Sequence, residues 1–258
     1  MHRFYLPPHE ARGDSLLLTG REAHHALHVL RVRRGDKITV LDGIGGELLC
    51  QVLNCARDRV ELAVDHREPA APLSWQITLL QAVPKGKIIE SLIQKATELG
   101  VARIVPLLSE RVATRLDEDS ASQKSEKWQG IAIEAIKQCG FAWLPKVEPP
   151  MAPADFLARE EKFDVSLIAS LQPGSRHARE YFDAFRKRHG RSPKTICVWV
   201  GPEGDFTPAE VAAAESSGAL PITLGQLVLR TETAATYCLS IVNYELQSAN
   251  IQGGSKNL

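Results

Sequence analysis

The sequence predicts an α/β protein with a β-rich N-terminal segment and a longer C-terminal region built on a mostly parallel sheet. Three observations lead there. The first 65 residues alternate in the β manner between turn signals. From Trp75 onward, near-continuous apolar runs alternate with amphipathic helical patterns, as expected of parallel strands covered on both faces. A hydrophobic content of 44% can fill one large core or two modest ones.

In the N-terminal segment, Ile38–Leu41 leads through Asp42, Gly43, Ile44, Gly45 and Gly46 to Leu48–Leu53, and Arg57–Arg59 turns the chain into Val60–Val64. These runs give a small β-barrel or sheet, with Gly43, Gly45 and Gly46 in a hairpin turn. A short helix is expected over Glu22–Leu30, with Leu27 and Leu30 free to pack. Asp65–Ser74, containing Pro69 and Pro72, reads as a linker.

In the C-terminal region, Trp75–Val83 reads as a strand. Lys87–Leu99 reads as a helix, with Ile88, Leu92, Ala96 and Leu99 at helical spacing and Gly100 at the stop. The cycle repeats with a strand at Arg103–Leu108, a helix at Ser125–Cys139, a strand at Val165–Ala169 and a helix at His177–Arg188. Thr195–Val200, Pro208–Ser217, Pro221–Leu224 and Thr231–Gln247 complete it. The expected division is residues 1–68, 74–248 and a polar tail, 249–258.

Composition narrows function. No run of 18 apolar residues exists, and Met1–Pro8 lacks a signal peptide's apolar stretch, so a cytoplasmic protein without membrane attachment is expected. Cys50, Cys55, Cys139, Cys197 and Cys238 form no Cys-x-x-Cys pair and read as reduced core thiols. The pair His24 and His28 lacks a neighbouring carboxylate or thiol, so no metal site is expected. A formal net charge of zero argues against indiscriminate nucleic-acid coating. The charge is nevertheless uneven. Pro84–Arg115 carries six basic and three acidic residues, whereas Gly201–Glu245 carries six acidic residues and only Arg230 as a base.

Site signatures follow. The phosphate-loop, dinucleotide-binding, zinc-protease and serine-hydrolase patterns are all missing, which disfavours those classes. Two glycine turns remain. One is Trp199-Val200-Gly201-Pro202-Glu203-Gly204-Asp205-Phe206, and the other is Leu224-Gly225-Gln226-Leu227-Val228-Leu229-Arg230-Thr231-Glu232-Thr233-Ala234. Each passes from a strand through a glycine turn to a helix start, where backbone N–H groups face a ligand.

On these residues the chain resembles the ribosomal RNA small subunit methyltransferase E family, the 16S rRNA uridine-N3 methyltransferases of the SPOUT superfamily. The resemblance also runs through Arg3–Leu6, His25–Asp36, Lys85–Lys87, Gln94–Gly100 and Ser109–Arg111. It implies an N-terminal PUA-like β-barrel for RNA and a C-terminal α/β domain tied in a deep trefoil knot. It also implies S-adenosylmethionine held among the knot loops, and a homodimer completing each site. The matching cofactor residues are Ala169, Ser170 and Leu171, then Val200, Gly201, Pro202, Glu203 and Gly204, then Leu224, Gly225, Leu227, Val228 and Leu229.

For methylation at uridine N3, Arg230 is the expected anion stabiliser and Glu232 the expected base or Arg-orienting partner, with Thr231 as N-cap of the last helix. Glu203 has a similar standing to Glu232. Phe4, Tyr5 or Phe206 is available to stack on a splayed base. RNA docking, to 16S rRNA within the 30S subunit, falls to Arg3, Phe4, Tyr5, Arg31, Arg33, Arg34, Lys37, Lys85, Lys87, Lys95 and Arg111. One departure stands out. Where the family often reads Glu-Gln-Cys/Ser-Gly-Arg, this chain has Lys137-Gln138-Cys139-Gly140-Phe141, so Phe141 replaces the arginine. The rival readings are a related methyltransferase acting at another RNA position and a catalytically silent RNA-binding protein on the same scaffold.

Overall fold

The computed structural model describes residues 1–112, 118–172 and 174–253. The chain forms two compact units, Met1–Pro72 with Ile133–Leu144, and Leu73–Ala132 with Pro145–Leu258.

The first unit is built on a five-stranded mixed sheet of order β1-β3-β4-β5-β2. Its strands are β1 (His2–Tyr5), β2 (Ser15–Leu18), β3 (Lys37–Leu41), β4 (Gly46–Cys55) and β5 (Val60–Pro69). β1 runs parallel to β3 and the other pairs are antiparallel. Alternation sends Phe4, Leu16, Leu18, Ile38, Val40, Leu48, Cys50, Val52, Val60 and Leu62 into one core. The β3–β4 turn is closed by Asp42, whose carboxylate accepts from the backbone N–H of Ile44 and Gly46 at 2.9 and 2.7 Å.

Two expectations change here. Asp65–Pro69 is not a linker but the outer half of β5, paired with Gly46–Leu49 beyond a bulge. The run is exposed and lost its alternation to charge, while Pro69 sits at the strand end, where its missing N–H costs no ladder bond. The expected helix is α1 (Gly20–His24) continued by a π-turn at His25–Val29, with Leu30 N–H bonded to the His25 carbonyl. That path buries Ala23 and Ala26 and lets Leu27 and Leu30 pack on the core. Ile133–Leu144 belongs with this unit because Ile136 and Ala142 share a buried cluster with Leu41, against which Tyr5, Ala70 and Leu144 pack. Buried Lys137 donates from Nζ to Glu22 at 2.8 Å and to Glu134 at 3.1 Å.

The second unit holds a six-stranded, all-parallel sheet of order β11-β9-β10-β6-β7-β8. The strands are β6 (Gln76–Ala82), β7 (Arg103–Leu107), β8 (Lys146–Val147), β9 (Val165–Ala169), β10 (Thr195–Val200) and β11 (Ala219–Ile222). The helices are α2 (Ile88–Glu98), α3 (Glu118–Cys139, of which Ile133 onward belongs to the first unit), α4 (Pro153–Leu157), α5 (Ala178–His189), α6 (Pro208–Ser216) and α7 (Thr231–Gly253). α2 and α5 pack on α7, which lies against β10, while α4 packs on α6, which lies against β11. Leu80, Ala82, Val105, Leu107, Ile168, Cys197 and Trp199 share one core with Phe156 and Phe206. β11 starts and ends two residues earlier than expected, and as an edge strand it tolerates Pro221. Thr223 and Leu224 thereby become loop residues. α7 runs past the expected Gln247, and residues 254–258 of the expected tail lie outside the described residues.

The amino-terminal edge of this sheet carries an ion-pair network. Arg103, at the start of β7, donates to Glu161 at 2.5 and 3.1 Å and lies 3.5 Å from Glu148, which also accepts from Arg159 at 2.8 Å. Just before β9, Asp164 accepts two bonds from Arg191 at 2.8 Å and one from Lys194 N–H at 2.6 Å. The Arg191 hydrogen bond holds the Asp164 carboxyl well below the usual carboxylate range, and the Arg103 hydrogen bond lowers Glu161. Burial alone would raise Glu148, but Arg159, Lys146 and Arg103 together bring it down.

All five cysteines are free. Cys50, Cys197 and Cys238 are core thiols, as expected, whereas Cys55 is half-buried and Cys139 exposed, because both stand at element ends. Burial pushes the Cys50 thiol up to about 11 and Cys238 up to about 12, so neither is a nucleophile at neutral pH. Among the described residues no helix is long and apolar enough to cross a membrane.

Candidate active site

At the carboxyl end of the parallel sheet, the loops leaving β9, β10 and β11 converge on a cavity open to solvent. This is the edge where open α/β sheets place ligand sites, because successive loops leave the strands there and helix N-termini point inward. The cavity is lined by Ala169, Ser170 and Leu171 after β9, by Val200, Gly201, Pro202, Glu203 and Asp205 after β10, and by Leu224, Gly225, Leu227, Val228 and Leu229 after β11. Thr231 and Ala234, from the first turn of α7, complete it.

The lining combines main chain with aliphatic side chains. Leu171, Leu227 and Val228 are 62, 76 and 79% exposed, an apolar rim that no part of the chain covers among the described residues. Gly201 is required by crowding, since an added Cβ would lie 2.9 Å from Asp205 Oδ1 and 3.2 Å from the Phe206 nitrogen. Gly225 is required by conformation: its φ is +106°, with open space around the missing Cβ.

Thr231 joins the parts. Its hydroxyl donates to the Gly201 carbonyl at 2.7 Å and accepts from Gln81 Nε2 at 2.9 Å. It is therefore not the N-cap expected from the sequence. The cap carbonyl is that of Arg230, which accepts from Ala234 N–H at 2.8 Å, and Thr231 is the first helical residue. Arg230 is exposed, and its guanidinium makes no hydrogen bond or ion pair among the described residues. The half-buried Glu232 carboxylate likewise has no partner there. Glu203 differs: its Oε1 accepts from the Lys85 N–H at 3.0 Å, so it fastens the β10–α6 turn to the β6–α2 loop.

Of the residues singled out from the sequence for the cofactor, only Gly204 is not on the cavity wall. Asp205, Thr231 and Ala234 line it without having been singled out, and each adjoins one of the two glycine-turn motifs. Arg230 and Glu232 flank Thr231 rather than the cavity itself.

The residues expected to meet RNA are more scattered. Arg31, Arg33, Arg34 and Lys37 are exposed in the first unit, and Lys85, Lys87 and Lys95 in the second. Arg3, though exposed, donates from Nη1 to the carbonyls of Lys137 and Gln138 at 3.3 and 3.1 Å, which satisfies the end of α3. Phe4 is fully buried, edge-on to His25, and cannot stack on a base. Phe206 is excluded for the same reason, being buried edge-on to Trp199. Tyr5 remains half-buried, and Phe141, in place of the family's arginine, is half-buried too. Arg111 donates from Nη1 to the Gly204 carbonyl at 2.6 Å and the Phe206 carbonyl at 3.4 Å. Arg115, counted in the basic run, lies outside the described residues. Among the described residues no three His, Cys, Asp or Glu side chains converge to hold a metal ion.

Comparison with known proteins bears on the same features. The family model of the RNA methyltransferase domain matches residues 71–243, and that of the RNA methyltransferase PUA domain matches residues 18–65. The chain is 31% identical to ribosomal RNA small subunit methyltransferase E of Bacillus subtilis, over 89% of this chain and 90% of that one. It is 32% identical to the protein of the same name from Synechocystis, over 96% and 78%. Among solved structures, ribosomal RNA small subunit methyltransferase E from Neisseria gonorrhoeae, bound to S-adenosylmethionine, superposes with a TM-score of 0.81 at 30% identity, covering 94% of this chain and 96% of that one. A Legionella pneumophila protein solved with the same cofactor gives 0.84 at 32%, covering 96% and 97%.

Proposed function

The chain belongs to the ribosomal RNA small subunit methyltransferase E family, and from that membership we propose that it transfers the methyl group of S-adenosylmethionine to N3 of a specific uridine in 16S rRNA. The observation that carries this reading is the convergence of three loops, far apart in sequence, on one cavity near Arg230, which has no partner among the described residues.

The cavity residues fit the cofactor. Leu224, Leu227 and Leu229 offer an apolar slot for an adenine ring, and the backbone of Gly201, Gly225 and their neighbours offers donors and acceptors for its edge. When bound, S-adenosylmethionine supplies an electrophilic methyl group on a sulfonium centre. The chain's own residues handle the other half of the chemistry. Uridine N3 carries a proton at neutral pH, and losing it leaves negative charge shared with the two flanking carbonyl oxygens. To Arg230 falls the stabilisation of that charge by a fixed cation. Glu232, which is not bonded to Arg230, accepts the proton. Thr231 holds both neighbours in register by tying the start of α7 to the Gly201 carbonyl.

The finer architecture belongs to the same reading. The first sheet is taken as a PUA-like β-barrel for RNA, in keeping with the PUA model match. A trefoil knot is supported by the loop after β9, which crosses to the free edge of β11. There the Arg176 N–H donates to the Pro221 carbonyl and the Arg176 carbonyl accepts from the Thr223 N–H, while the chain beyond returns to pack α7 against β10. A homodimer is supported by a groove containing Leu224, Tyr237, Ile241 and Tyr244, which shares Leu224 and Gly225 with the cavity wall. The substrate is taken as 16S rRNA within the 30S subunit in the cytoplasm. The proposed domains are residues 1–68 for RNA and 74–248 for methyl transfer.

The test is two-fold. Calorimetry should give saturable one-to-one binding of S-adenosylmethionine per subunit. Primer extension on 30S subunits from a deletion strain should lose one strong arrest, which the purified protein and cofactor restore, because N3 methylation blocks Watson–Crick pairing. An arrest unchanged by deletion would refute the uridine assignment.

A further inference from the structure

The turn between β10 and α6 contains one strained residue. Asp205 has φ +61°, the left-handed region that a non-glycine residue enters at a cost, although Asp tolerates it better than most. Its own carboxylate accepts from the Phe206 N–H at 2.8 Å. The carbonyls on either side of it, those of Gly204 and Phe206, both accept from Arg111 Nη1. One charged donor thus spans the strained residue and fixes the peptide planes that flank it.

Arg111 is itself delivered by a rigid mount. Ser109, buried, donates from Oγ to Glu210 Oε2 at 3.0 Å, and the Glu110 N–H donates to Glu210 Oε1 at 3.0 Å. Glu210 also accepts from the Thr207 N–H at 2.8 Å in the capping box that begins α6. Residues 109–111, at the exit of β7, are therefore bonded to both ends of the Gly204–Glu210 stretch. The turn's other face is the cavity wall formed by Gly201, Pro202, Glu203 and Asp205.

We infer that Arg111 is a positioning residue for the cofactor: its guanidinium holds the Gly201–Phe206 turn in the strained form that lines the cavity, and it acts on S-adenosylmethionine affinity rather than as an RNA contact. This rests on the reading of the cavity as the S-adenosylmethionine site. Charge-assisted hydrogen bonds to a carbonyl pair stabilise a conformation enough to change ligand affinity about tenfold when removed.

The experiment compares the full-length protein with Arg111→Ala and Arg111→Lys. S-adenosylmethionine affinity is measured by calorimetry, affinity for unmodified 30S subunits by filter binding, and folding by thermal melting. Because Arg111 is exposed, the melting temperature should stay within a degree or so. Arg111→Ala is expected to weaken S-adenosylmethionine binding about tenfold and raise its KM by the same factor, with kcat at saturation and 30S affinity within about twofold. Arg111→Lys, which keeps the charge and can reach one carbonyl, should recover part of the loss. Unchanged cofactor affinity in Arg111→Ala, a loss confined to 30S affinity, or a fall in melting temperature that tracks the affinity loss would each overturn the assignment. Failure of the unaltered protein to bind S-adenosylmethionine would instead strike the functional reading itself.

Discussion

The two edges of the six-stranded sheet are made from the same strands yet use their polar groups in opposite ways. At the amino-terminal edge Arg103, Glu148, Arg159, Glu161, Asp164 and Arg191 answer one another, so that almost every charge has an opposite charge within bonding distance. At the carboxyl edge Arg230 and Glu232 have no partners among the described residues, and Leu171, Leu227 and Val228 lie open. Satisfied groups stabilise a fold and have nothing left to offer a ligand. Groups left to solvent beside an apolar cavity stay free to meet a ligand. The contrast separates scaffold from site more sharply than residue type does, since both edges contain arginines and carboxylates.

The largest effect should come from Arg230. Arg230→Ala is expected to lower kcat on the order of 100- to 1,000-fold, the usual loss when a preorganised donor to a developing anion is removed. Melting temperature and S-adenosylmethionine affinity should barely move, because the exposed side chain makes no hydrogen bond or ion pair among the described residues. Single-turnover methylation of 30S subunits measures the first, and calorimetry the second. A melting temperature that fell with the rate would break the division between the two edges.

The opposite pattern is expected at the amino-terminal edge. Arg103→Met leaves Glu148, whose side chain is only 5% exposed, with Arg159 and Lys146 as remaining partners, and leaves Glu161 with Arg159. Loss of one partner from a largely buried network should cost about 2 kcal/mol, less than for an isolated buried pair because other cations remain. Denaturant unfolding should show that loss while kcat and KM per folded molecule stay unchanged.

Two glycines of the carboxyl edge sharpen the point within the site. Gly201→Ala forces the turn to move, since its Cβ would press on Asp205 and the Phe206 nitrogen, and S-adenosylmethionine affinity should fall tenfold or thereabouts, about 1.4 kcal/mol. Gly225→Ala meets no atom within 4 Å and is opposed only by its φ of +106°, a strain of about 1 kcal/mol that loosens the third loop. Calorimetry on both variants should rank Gly201 above Gly225. The reverse order would mean that the third loop, not the second, forms the tighter wall.

How far the sequence exposes this organisation depends on whether the deciding contacts are local. The strands and the two glycine turns are legible because an apolar run and a glycine declare themselves within a few residues, and most of the cavity wall is contiguous with them. Phe4 could have been read correctly from alternation: it shares a face with Leu6, and both point inward. Asp65–Pro69 gave no such signal, because that half of β5 is exposed and its pairing with β4 depends on a register that turn residues do not encode. Arg111 was the least legible. Its donors meet carbonyls 93 and 95 positions away, and an arginine's charge alone suggested RNA.

The smallest expected effect is a matter of acid. Asp164, Glu161 and Glu148 all titrate below their ordinary values in the folded protein, Asp164 most of all because of its bonds to Arg191, Lys194 and Thr195. Below the pKa of an unfolded carboxyl, about 4, the unfolded chain binds protons that the folded chain still refuses. The stability these groups contribute is therefore complete above about pH 5, and it drains away as pH falls through 4 toward the lower folded values. Urea unfolding between pH 3 and 6 should show stability falling with acidity over that window. Asp164→Asn should flatten part of the slope, since an amide has no proton to take up. Glu232→Gln, at the other edge, should slow methylation instead. Equal slopes in Asp164→Asn and the unaltered protein would show that the paired edge owes its stability to packing and not to its charges.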